Sequence, residues 1–343
     1  MSGRYRSGNS DFSLEYVVLV SILKKIVARF KPRGQETAPE RVFIAAFGKH
    51  PGWDDHIDDI GLETDILVAV KRILYVQGIG GNIDSGNWEK LQEDQRLEGF
   101  KHLFVWRMDD DIVVGRLWSS RDGKGRTSYP MVVCVQCCQL PLQWVFENVL
   151  PSLEKIEEIC VATTLPADVK SALENAQMEF RRLVQQSQHV ADSPGVSLNA
   201  LAKLAGSPEM GADNEGLLRI LYHVEREITR YQPDASKGET VRPTLLRVPV
   251  SAPAMLQNTL LWFGFLLDKF NKDIPVLVLI PLENSWIDII IGEPTEVQLY
   301  CLRASLRMIP LTSTIPYNMG SEFIARTNQL IEHARGDRTR PNS

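Results

Sequence analysis

The residue types best suited to chemistry lie together in one stretch, GKHPGWDDHIDDIG, which runs from Gly48 to Gly61. It holds four aspartates and two histidines around one tryptophan, and carboxylates and imidazoles grouped in this way can bind a divalent metal ion. The candidate ligands are His50, Asp54, Asp55, His56, Asp58 and Asp59. Their spacing matches neither the zinc patterns nor the twelve-residue calcium loop. We therefore predict no metal site, and we interpret residues 49–59, here called the acidic loop, as a solvated loop whose aspartates cap the following helix.

A second polar stretch, GRLWSSRDGKGRTSYPM from Gly115 to Met131, separates two predicted strands. Its residues 119–129, here called the basic turn, carry two arginines and a lysine beside one aspartate. These cations face the acidic loop if both segments lie at one end of the sheet. Otherwise they bind an anion or an acidic partner, or they form a solvated turn without a ligand. The candidate binding residues of the two segments are Lys49, Trp53, Asp54, Asp55, Asp122, Arg126 and Tyr129.

The sequence lacks the common catalytic motifs. The Gly48-Lys49 pair is followed by His50, whereas a phosphate-binding loop requires serine or threonine there. Residues 78–81 lack the GxGxxG spacing and follow a predicted helix, which argues against dinucleotide binding. No GxSxG element occurs, and three of the five cysteines lie in one predicted buried strand, where thiols are inert. We therefore predict that the protein is not an enzyme and carries no cofactor.

Composition indicates a globular protein without a strong preference for nucleic acid. The chain has 343 residues, of which 44% are hydrophobic and 24% charged, as in ordinary globular proteins. The formal net charge is -5 and no long run of lysine or arginine occurs, which disfavours binding to a phosphate backbone. An odd number of cysteines in a chain of this size indicates reduced thiols and a cytoplasmic location.

The N-terminal segment 14–30 is apolar and carries interspersed lysine and arginine residues. Its continuous apolar run is too short to span a membrane, and no signal-peptide cleavage site follows it. The segment is interpreted as an amphipathic helix that packs on the domain or on a partner. Peripheral membrane contact through residues 14–30, as an anchor lying in the plane of the membrane, is the alternative. Residues 31–40 are predicted to be a linker.

Hydrophobic periodicity predicts an α+β fold with a mixed, mainly antiparallel sheet flanked by helices, an α/β sandwich. The predicted strands are 41–47, 102–108, 111–118, 129–138, 245–250, 275–280 and 285–291. The predicted helices are 63–76, 87–95, 142–156, 167–186, 197–204, 214–231, 254–270 and 321–334. The strand over 129–138 is almost wholly apolar, which predicts a central position in the sheet.

The acidic loop and the basic turn together resemble the TagF family of regulators associated with type VI secretion. That family has a GKxPxxGDF-like loop after its first strand, and later a tryptophan, a serine–aspartate turn and a GR…(Y/F)P element that opens a central strand. The matching residues are Gly48, Lys49, Pro51, Trp118, Ser120, Asp122, Gly125, Arg126, Tyr129 and Pro130. The likeness covers residues 41–135, and Trp53-Asp54-Asp55-His56 stands where the family has GDF.

The resemblance implies a cytoplasmic, non-enzymatic regulatory or assembly protein of a bacterial type VI secretion system. Such a protein acts by protein–protein interaction, with a forkhead-associated protein or another secretion component as its partner. The alternative hypothesis is a metal-dependent hydrolase or phosphatase that uses His50, Asp54, Asp55 and His56.

We divide the chain into four parts. Residues 1–40 form the N-terminal amphipathic helix and linker, and residues 41–160 form the TagF-like α/β module. Residues 161–245 form a helical insertion or subdomain. Residues 246–335 contain a strand, a helix, a hairpin and a helix, which either complete the core or form a second α/β lobe.

Overall fold

Seven strands form one sheet in the computed structural model, which describes residues 41–186, 208–210, 214–231 and 241–336. The strands are β1 (Arg41–Gly48), β2 (Lys101–Met108), β3 (Asp111–Ser119), β4 (Pro130–Cys138), β5 (Thr244–Pro249), β6 (Val276–Pro281) and β7 (Trp286–Ile291). Their order is β1-β4-β3-β2-β6-β7-β5, and every neighbouring pair is antiparallel. The predicted α+β class is confirmed. The parallel pairings that a mixed sheet would contain do not occur among these described strands.

Helices cover both faces of the sheet and make an α–β–α sandwich. The longer helices of the described residues are α1 (Asp65–Asp84), α2 (Leu142–Asn148), α3 (Leu150–Ala162), α4 (Pro166–Gln186), α5 (Glu215–Arg230), α6 (Met255–Lys269) and α7 (Ser321–Gly336). Helices α2 to α7 pack on one face, and α1 packs on the other face with two irregular segments, 88–100 and 296–302. Each face of the sheet therefore has its own apolar core.

The covering of both faces explains why the central strands are apolar along their whole length. In β4, Val133 and Val135 belong to the first core, whereas Val132 and Cys134 belong to the second. Successive side chains of a strand point to opposite faces, so a strand buried on both sides shows no polar alternation. β4 is an interior strand, as predicted, although it is second from the edge and not at the middle of the sheet.

Helix α1 continues past Gly78, Gly80 and Gly81 to Asp84, although the sequence predicted that it would end at residue 76. Thr64 caps the start of the helix by accepting a backbone N–H of the first turn. From Lys71 to Gly80 the helix is a π-helix. Gly78 lies against Leu299, and a Cβ on this glycine would stand 2.1 Å from Leu299 Cδ1. Gly78 therefore serves close packing within the helix and does not mark its end.

Helix α1 is also, among the described residues, the one helix long and apolar enough to cross a membrane by length and composition. Half of its apolar stretch is buried inside the protein. Its residues Ile73, Leu74 and Ile79 pack in the same core as Phe104 and Trp106 of β2. Burial of this kind is what a core helix of a globular domain shows.

The helix predicted over 142–156 is divided into α2 and α3. Pro151 lies in the first turn of α3. Because proline has no N–H, the hydrogen-bond ladder of α2 cannot continue through it. The two helices therefore meet at Val149, and α3 then extends to Ala162, beyond its predicted end.

Two further element predictions are corrected. The helix predicted over 87–95 is only a short 3-10 turn, Glu93–Gln95. The helical segment 296–302 was not predicted, because it is too short to show a hydrophobic period. Two predicted helices, 14–30 and 197–204, lie outside the described residues.

The outer edge of β1 is covered along its length. The side-chain amide of Gln177, in α4, accepts the N–H of Ile44 at 2.9 Å and donates to the carbonyl of Val42 at 2.6 Å. Ile60 exchanges two backbone hydrogen bonds with Ala46. Unpaired strand edges can recruit other chains. Because this edge is occupied, a further strand cannot add to the sheet beside β1.

Strands from the C-terminal third of the chain continue the sheet that the first four strands begin. β2 pairs with β6, from His102 opposite Pro281 to Arg107 opposite Val276. The central pair of the sheet thus joins segments that are about half the chain apart. All described residues belong to one compact unit.

Candidate functional site

The strand register brings the acidic loop and the basic turn together. Gly48, the last residue of β1, lies opposite Met131 at the start of β4. Ser119, the last residue of β3, lies opposite Pro130. The loop that leaves β1 and the turn that joins β3 to β4 therefore start from the same end of the sheet.

Gly48 lets the acidic loop begin in close contact with the basic turn. Its φ of 111° lies in the region that favours glycine. A Cβ at this position would stand 2.3 Å from the carbonyl oxygen of Pro130. The N–H of the next residue, Lys49, donates to that same oxygen at 3.1 Å. The close approach to Pro130 therefore explains why glycine precedes Lys49.

Lys49 links the acidic loop to the basic turn. Its side chain is buried, with 3% exposed. The amine lies 2.6 Å from Asp55 Oδ1, in the acidic loop, and 2.7 Å from Asp122 Oδ2, in the basic turn. A buried ammonium is costly unless it is paired and hydrogen-bonded. The two carboxylates meet that requirement and fix the loop to the turn.

Asp122 organises the basic turn through its carboxylate. One oxygen accepts the backbone N–H groups of Lys124 and Arg126, both at 3.0 Å. The other oxygen accepts the Nε of Arg126 at 2.6 Å, in addition to Lys49. An aspartate that binds the backbone two and four residues ahead is a common turn former. The turn is therefore rigid and its aspartate is buried.

Arg126 completes the link between the two segments. Its Nη2 lies 3.0 Å from the carbonyl oxygen of Asp54 and 3.1 Å from Asp55 Oδ1. The N–H of Gly123 also donates to the carbonyl of Trp53 at 2.6 Å. The basic turn therefore faces the first half of the acidic loop, as expected for segments at one end of a sheet.

The last two aspartates of the acidic loop have partners outside the basic turn. Asp59 pairs with Lys71 of α1, and Asp58 accepts the indole N–H of Trp53 at 3.4 Å. The prediction that loop aspartates cap the next helix is also wrong, because the capping side chain of α1 is Thr64. A threonine hydroxyl serves an N-cap as an aspartate does, so composition alone could not select between them.

The network lowers the pKa of both its carboxyl groups. A hydrogen bond from Lys49 lowers the pKa of Asp55 to about 2, against a smaller opposing effect of burial, and His56 and Arg126 contribute to the lowering. Burial by itself raises the pKa of Asp122, but hydrogen bonds from Lys49 and Arg126 outweigh it and hold that pKa well below its usual range. Both groups are therefore carboxylates at neutral pH.

The charges within the network balance. Lys49 and Arg126 contribute two positive charges, and Asp55 and Asp122 contribute two negative charges. A lysine amine that donates to two carboxylates directs no lone pair toward a substrate, so it is poorly placed to act as a nucleophile. The geometry favours a structural role for the network, which holds the acidic loop and the basic turn together.

His50 is excluded from the alternative metal site by its own hydrogen bonds. Its Nδ1 accepts the N–H of Gly52 at 3.1 Å, so Nε2 carries the proton and donates to the carbonyl of Cys160 at 2.9 Å. Burial lowers the pKa of His50, which favours this neutral form. The ring is buried and edge-on to Trp53. With both ring nitrogens occupied, His50 cannot join Asp54, Asp55 and His56 around a metal ion.

An aromatic cluster that the sequence did not reveal flanks the network. The rings of His56 and Tyr129 are edge-on, with centroids 5.2 Å apart, and Tyr75 of α1 contacts both. His56 Nδ1 also lies 3.1 Å from Asp55 Oδ1. Burial raises the pKa of Tyr75 and that of Tyr129. Tyr75 lies within the predicted helix 63–76, where an aromatic residue among aliphatic ones was the signal that could have identified it.

Of the sequence-predicted binding residues, the structure brings seven into one site: Lys49, Trp53, Asp54, Asp55, Asp122, Arg126 and Tyr129. Within the described ranges, no group of three or more histidine, cysteine, aspartate or glutamate side chains is arranged to hold a metal ion. No protein-family model matches the chain, and no curated protein matches it.

Proposed function

We propose that this chain is a non-enzymatic regulatory or assembly protein of a bacterial type VI secretion system, and that it acts by protein–protein interaction. The observation that carries the proposal is the contact between the two segments that resemble the TagF family. Lys49 of the first segment and Asp122 of the second form a buried ion pair at 2.7 Å. Motif residues that are far apart in sequence thus support one shared surface.

The exposed side of this surface favours binding over catalysis. Asp54 is exposed, and Trp53 is half-buried with its indole near the surface. The charged groups behind them are already paired with one another, so they serve to orient the surface. Rigid loops that present an aromatic residue beside charged groups are typical of interaction sites.

The resemblance supplies the expected partner. We expect a forkhead-associated protein or another component of the secretion system, met in the cytoplasm. The covered edge of β1 agrees with recognition through loops, because strand addition at that edge is blocked by Gln177 and Ile60.

Capture of partners from the native bacterium tests this proposal. The tagged full chain should recover components of the type VI system, and Asp54→Arg should reduce the recovery at least about tenfold, as for loss of an interface charge. Asp54 suits this test because its side chain makes no ion pair within the described residues, so the network beneath it stays intact.

Glu174→Arg is the matched control, since it makes the same change of charge on the exposed side of α4. It should recover the same components as the wild-type chain. Recovery of no secretion component by the wild-type chain would refute the secretion assignment. Equal recovery by all three chains would refute the acidic loop as the binding surface.

A further inference from the structure

A groove lies beside the site, between Pro51 of the acidic loop, the basic turn and the C-terminal end of α3. Its cavity volume is about 540 Å³, within the range of ligand pockets. Phe100 and Trp118 line it and are themselves buried, which gives the groove a rigid aromatic floor. Among the other residues that line the groove, some are cationic and some are apolar.

Two guanidinium groups line the groove, those of Arg121 and Arg303. Arg303 is held in place, because it donates to the carbonyls of Leu97 at 3.0 Å and Glu98 at 3.1 Å and stacks 5.1 Å over the ring of Phe100. Arg121 is exposed. Neither guanidinium has a carboxylate partner in the part of the chain that the structure describes.

Four hydroxyl groups add neutral donors around these arginines: those of Ser119, Ser120, Thr127 and Ser128. Glu98 contributes the single carboxylate among the residues that line the groove. Two positive charges against one negative charge make the groove positive, on a chain whose formal net charge is -5. The charge of the groove is therefore opposite to that of the molecule, and it complements an acidic ligand.

An exposed apolar side chain also lines the groove. Val161 lies at the C-terminal end of α3 and is 66% exposed. Ile159 and Leu165, which precede and follow it in the sequence, are 43% and 58% exposed but are not among the residues that line the groove. An apolar side chain bordered by charged residues has the arrangement of an interface core and its rim. We therefore expect the ligand to place an apolar group against Val161.

A second groove of about 540 Å³ shares the lining residues Glu98 and Phe100 with the first, and the two neighbouring grooves are here together called the depression. The second groove is lined by Arg96, which also has no carboxylate partner among the described residues, and by His102. His102 is buried; its Nδ1 accepts the N–H of Lys101, and its Nε2 has no hydrogen-bond partner. Two neighbouring grooves are better filled by a length of extended chain than by a single small anion.

We propose that this depression receives an extended acidic segment of a partner protein, whose carboxylates pair with Arg121 and Arg303 and whose apolar side chains cover Val161. The inference rests on the proposed function, which requires a protein partner, and it adds the chemistry of the partner's binding segment. A phosphate backbone fits less well, because it has no apolar side chains to place against Val161.

Direct binding of a model peptide tests the inference. The probe is a short fluorescein-labelled peptide of alternating aspartate and valine, titrated with the full chain and followed by fluorescence anisotropy. The wild-type chain should bind it, and added salt should weaken the binding. Arg121→Glu should weaken it about tenfold or more, the loss expected for one charge-assisted hydrogen bond. Because Arg121 has no partner within the described residues, this variant should fold normally.

Arg181→Glu is the matched control. Arg181 is exposed on α4 and lines neither groove. It lies roughly 22 Å from Pro166, the first residue of that helix, at 1.5 Å per residue. It should bind the peptide as the wild type does, and Val161→Ser should weaken binding without changing its salt dependence. A peptide with lysine in place of aspartate should not bind.

Several outcomes would overturn the inference: no binding of the acidic peptide, equal weakening by Arg121→Glu and Arg181→Glu, or equal binding of the lysine peptide. Binding of an RNA oligonucleotide or of phosphatidylglycerol vesicles through Arg121, without peptide binding, would overturn it as well. Capture of secretion components that is insensitive to Arg121→Glu would leave the proposed function standing and remove this inference. Peptide binding without any captured secretion component would support this inference and refute the proposed function.

Discussion

The ammonium of Lys49 lies between two carboxylates that come from segments about seventy residues apart. The residue types of the network were identifiable from the sequence, because lysine, arginine and aspartate were gathered in two polar stretches. The sequence did not indicate which cation would pair with which carboxylate. Asp55 turns inward to Lys49 and Asp59 turns to Lys71, although the two aspartates lie in the same run of the chain.

The two histidines of the acidic loop show the same limit of prediction from sequence. His50 and His56 were interchangeable as candidate ligands in the sequence. In the structure His50 is buried and donates to Cys160 of α3, whereas His56 stays at the surface against Tyr75 and Tyr129. A partner 110 residues away decides the role of His50, and local spacing carries no record of it.

The pH dependence of stability tests the Lys49 network. The pKa of Asp55 is lowered from 3.8 to about 2 in the folded protein, so its stabilising contribution is present above pH 3.8 and is lost as pH falls toward 2. Asp55→Asn should therefore lower the free energy of unfolding at neutral pH, and the difference from the wild type should shrink across that window. Urea unfolding at a series of pH values measures it.

Asp54→Asn is the control for this experiment, because the Asp54 side chain makes no ion pair within the described residues. Its difference from the wild type should stay small and nearly constant with pH. A difference for Asp55→Asn that does not change between neutral pH and pH 2 would contradict the proposed ion pairing.

At the scale of elements, α1 shows how packing overrides local propensity. Glycines usually end helices, and residues 78–86 contain four of them. Here Gly78 is needed where the helix passes Leu299, and Gly80 lies near the ring of Tyr129. The helix continues because its glycines allow close approach of other elements, a condition that only the tertiary structure sets.

Two glycine substitutions in α1 give contrasting predictions. Gly78→Ala should destabilise the protein by about 1–3 kcal/mol, because the new Cβ would stand 2.1 Å from Leu299 Cδ1. Gly80→Ala should be neutral or slightly stabilising, since its nearest neighbour stands at an ordinary 3.5 Å and alanine reduces the entropy of the unfolded chain. Thermal and urea unfolding of both variants check these signs.

Leu299→Ala should reduce the cost of Gly78→Ala when the two are combined, because the clash is with that side chain. A purely additive double variant, or equal destabilisation by the two glycine substitutions, would show that close packing against Leu299 is not the reason for the glycine.

For the whole molecule, the continuity of the sheet is the main structural result. β2 at the centre pairs on one side with β3 and on the other with β6. Arg247 of β5 adds a second long-range tie. It pairs with Asp288 of β7 at 2.7 Å and donates to the carbonyls of Ala304 and Ser305, so the segment after residue 300 is held against the sheet. Such an arginine in a strand suggests solvent exposure in the sequence, and its complete burial was not predictable.

A truncated chain tests whether residues 1–243 can fold by themselves. Without β6, the edge of β2 from His102 to Arg107 would be open and the apolar cores would lose one wall. We expect this fragment to aggregate, as exposed apolar strand edges do. Solubility and sedimentation of the fragment check the prediction. Co-expression with residues 244–343 should restore soluble protein, and a soluble, cooperatively unfolding fragment would contradict it.

The sequence alone determined the types of most elements, the α+β class and the two polar segments that meet in the candidate site. It could do so because apolar runs and turn residues are local properties, and the strand runs such as RVFIAAF and YPMVVCVQCC carry them directly. The tertiary structure decided the strand order, the neutral role of His50, the continuation of α1 through its glycines and the groove beside Arg121. Each of these depends on a contact between residues distant along the chain, such as Lys49 with Asp122 or β2 with β6, and such contacts leave no periodic signal in the sequence.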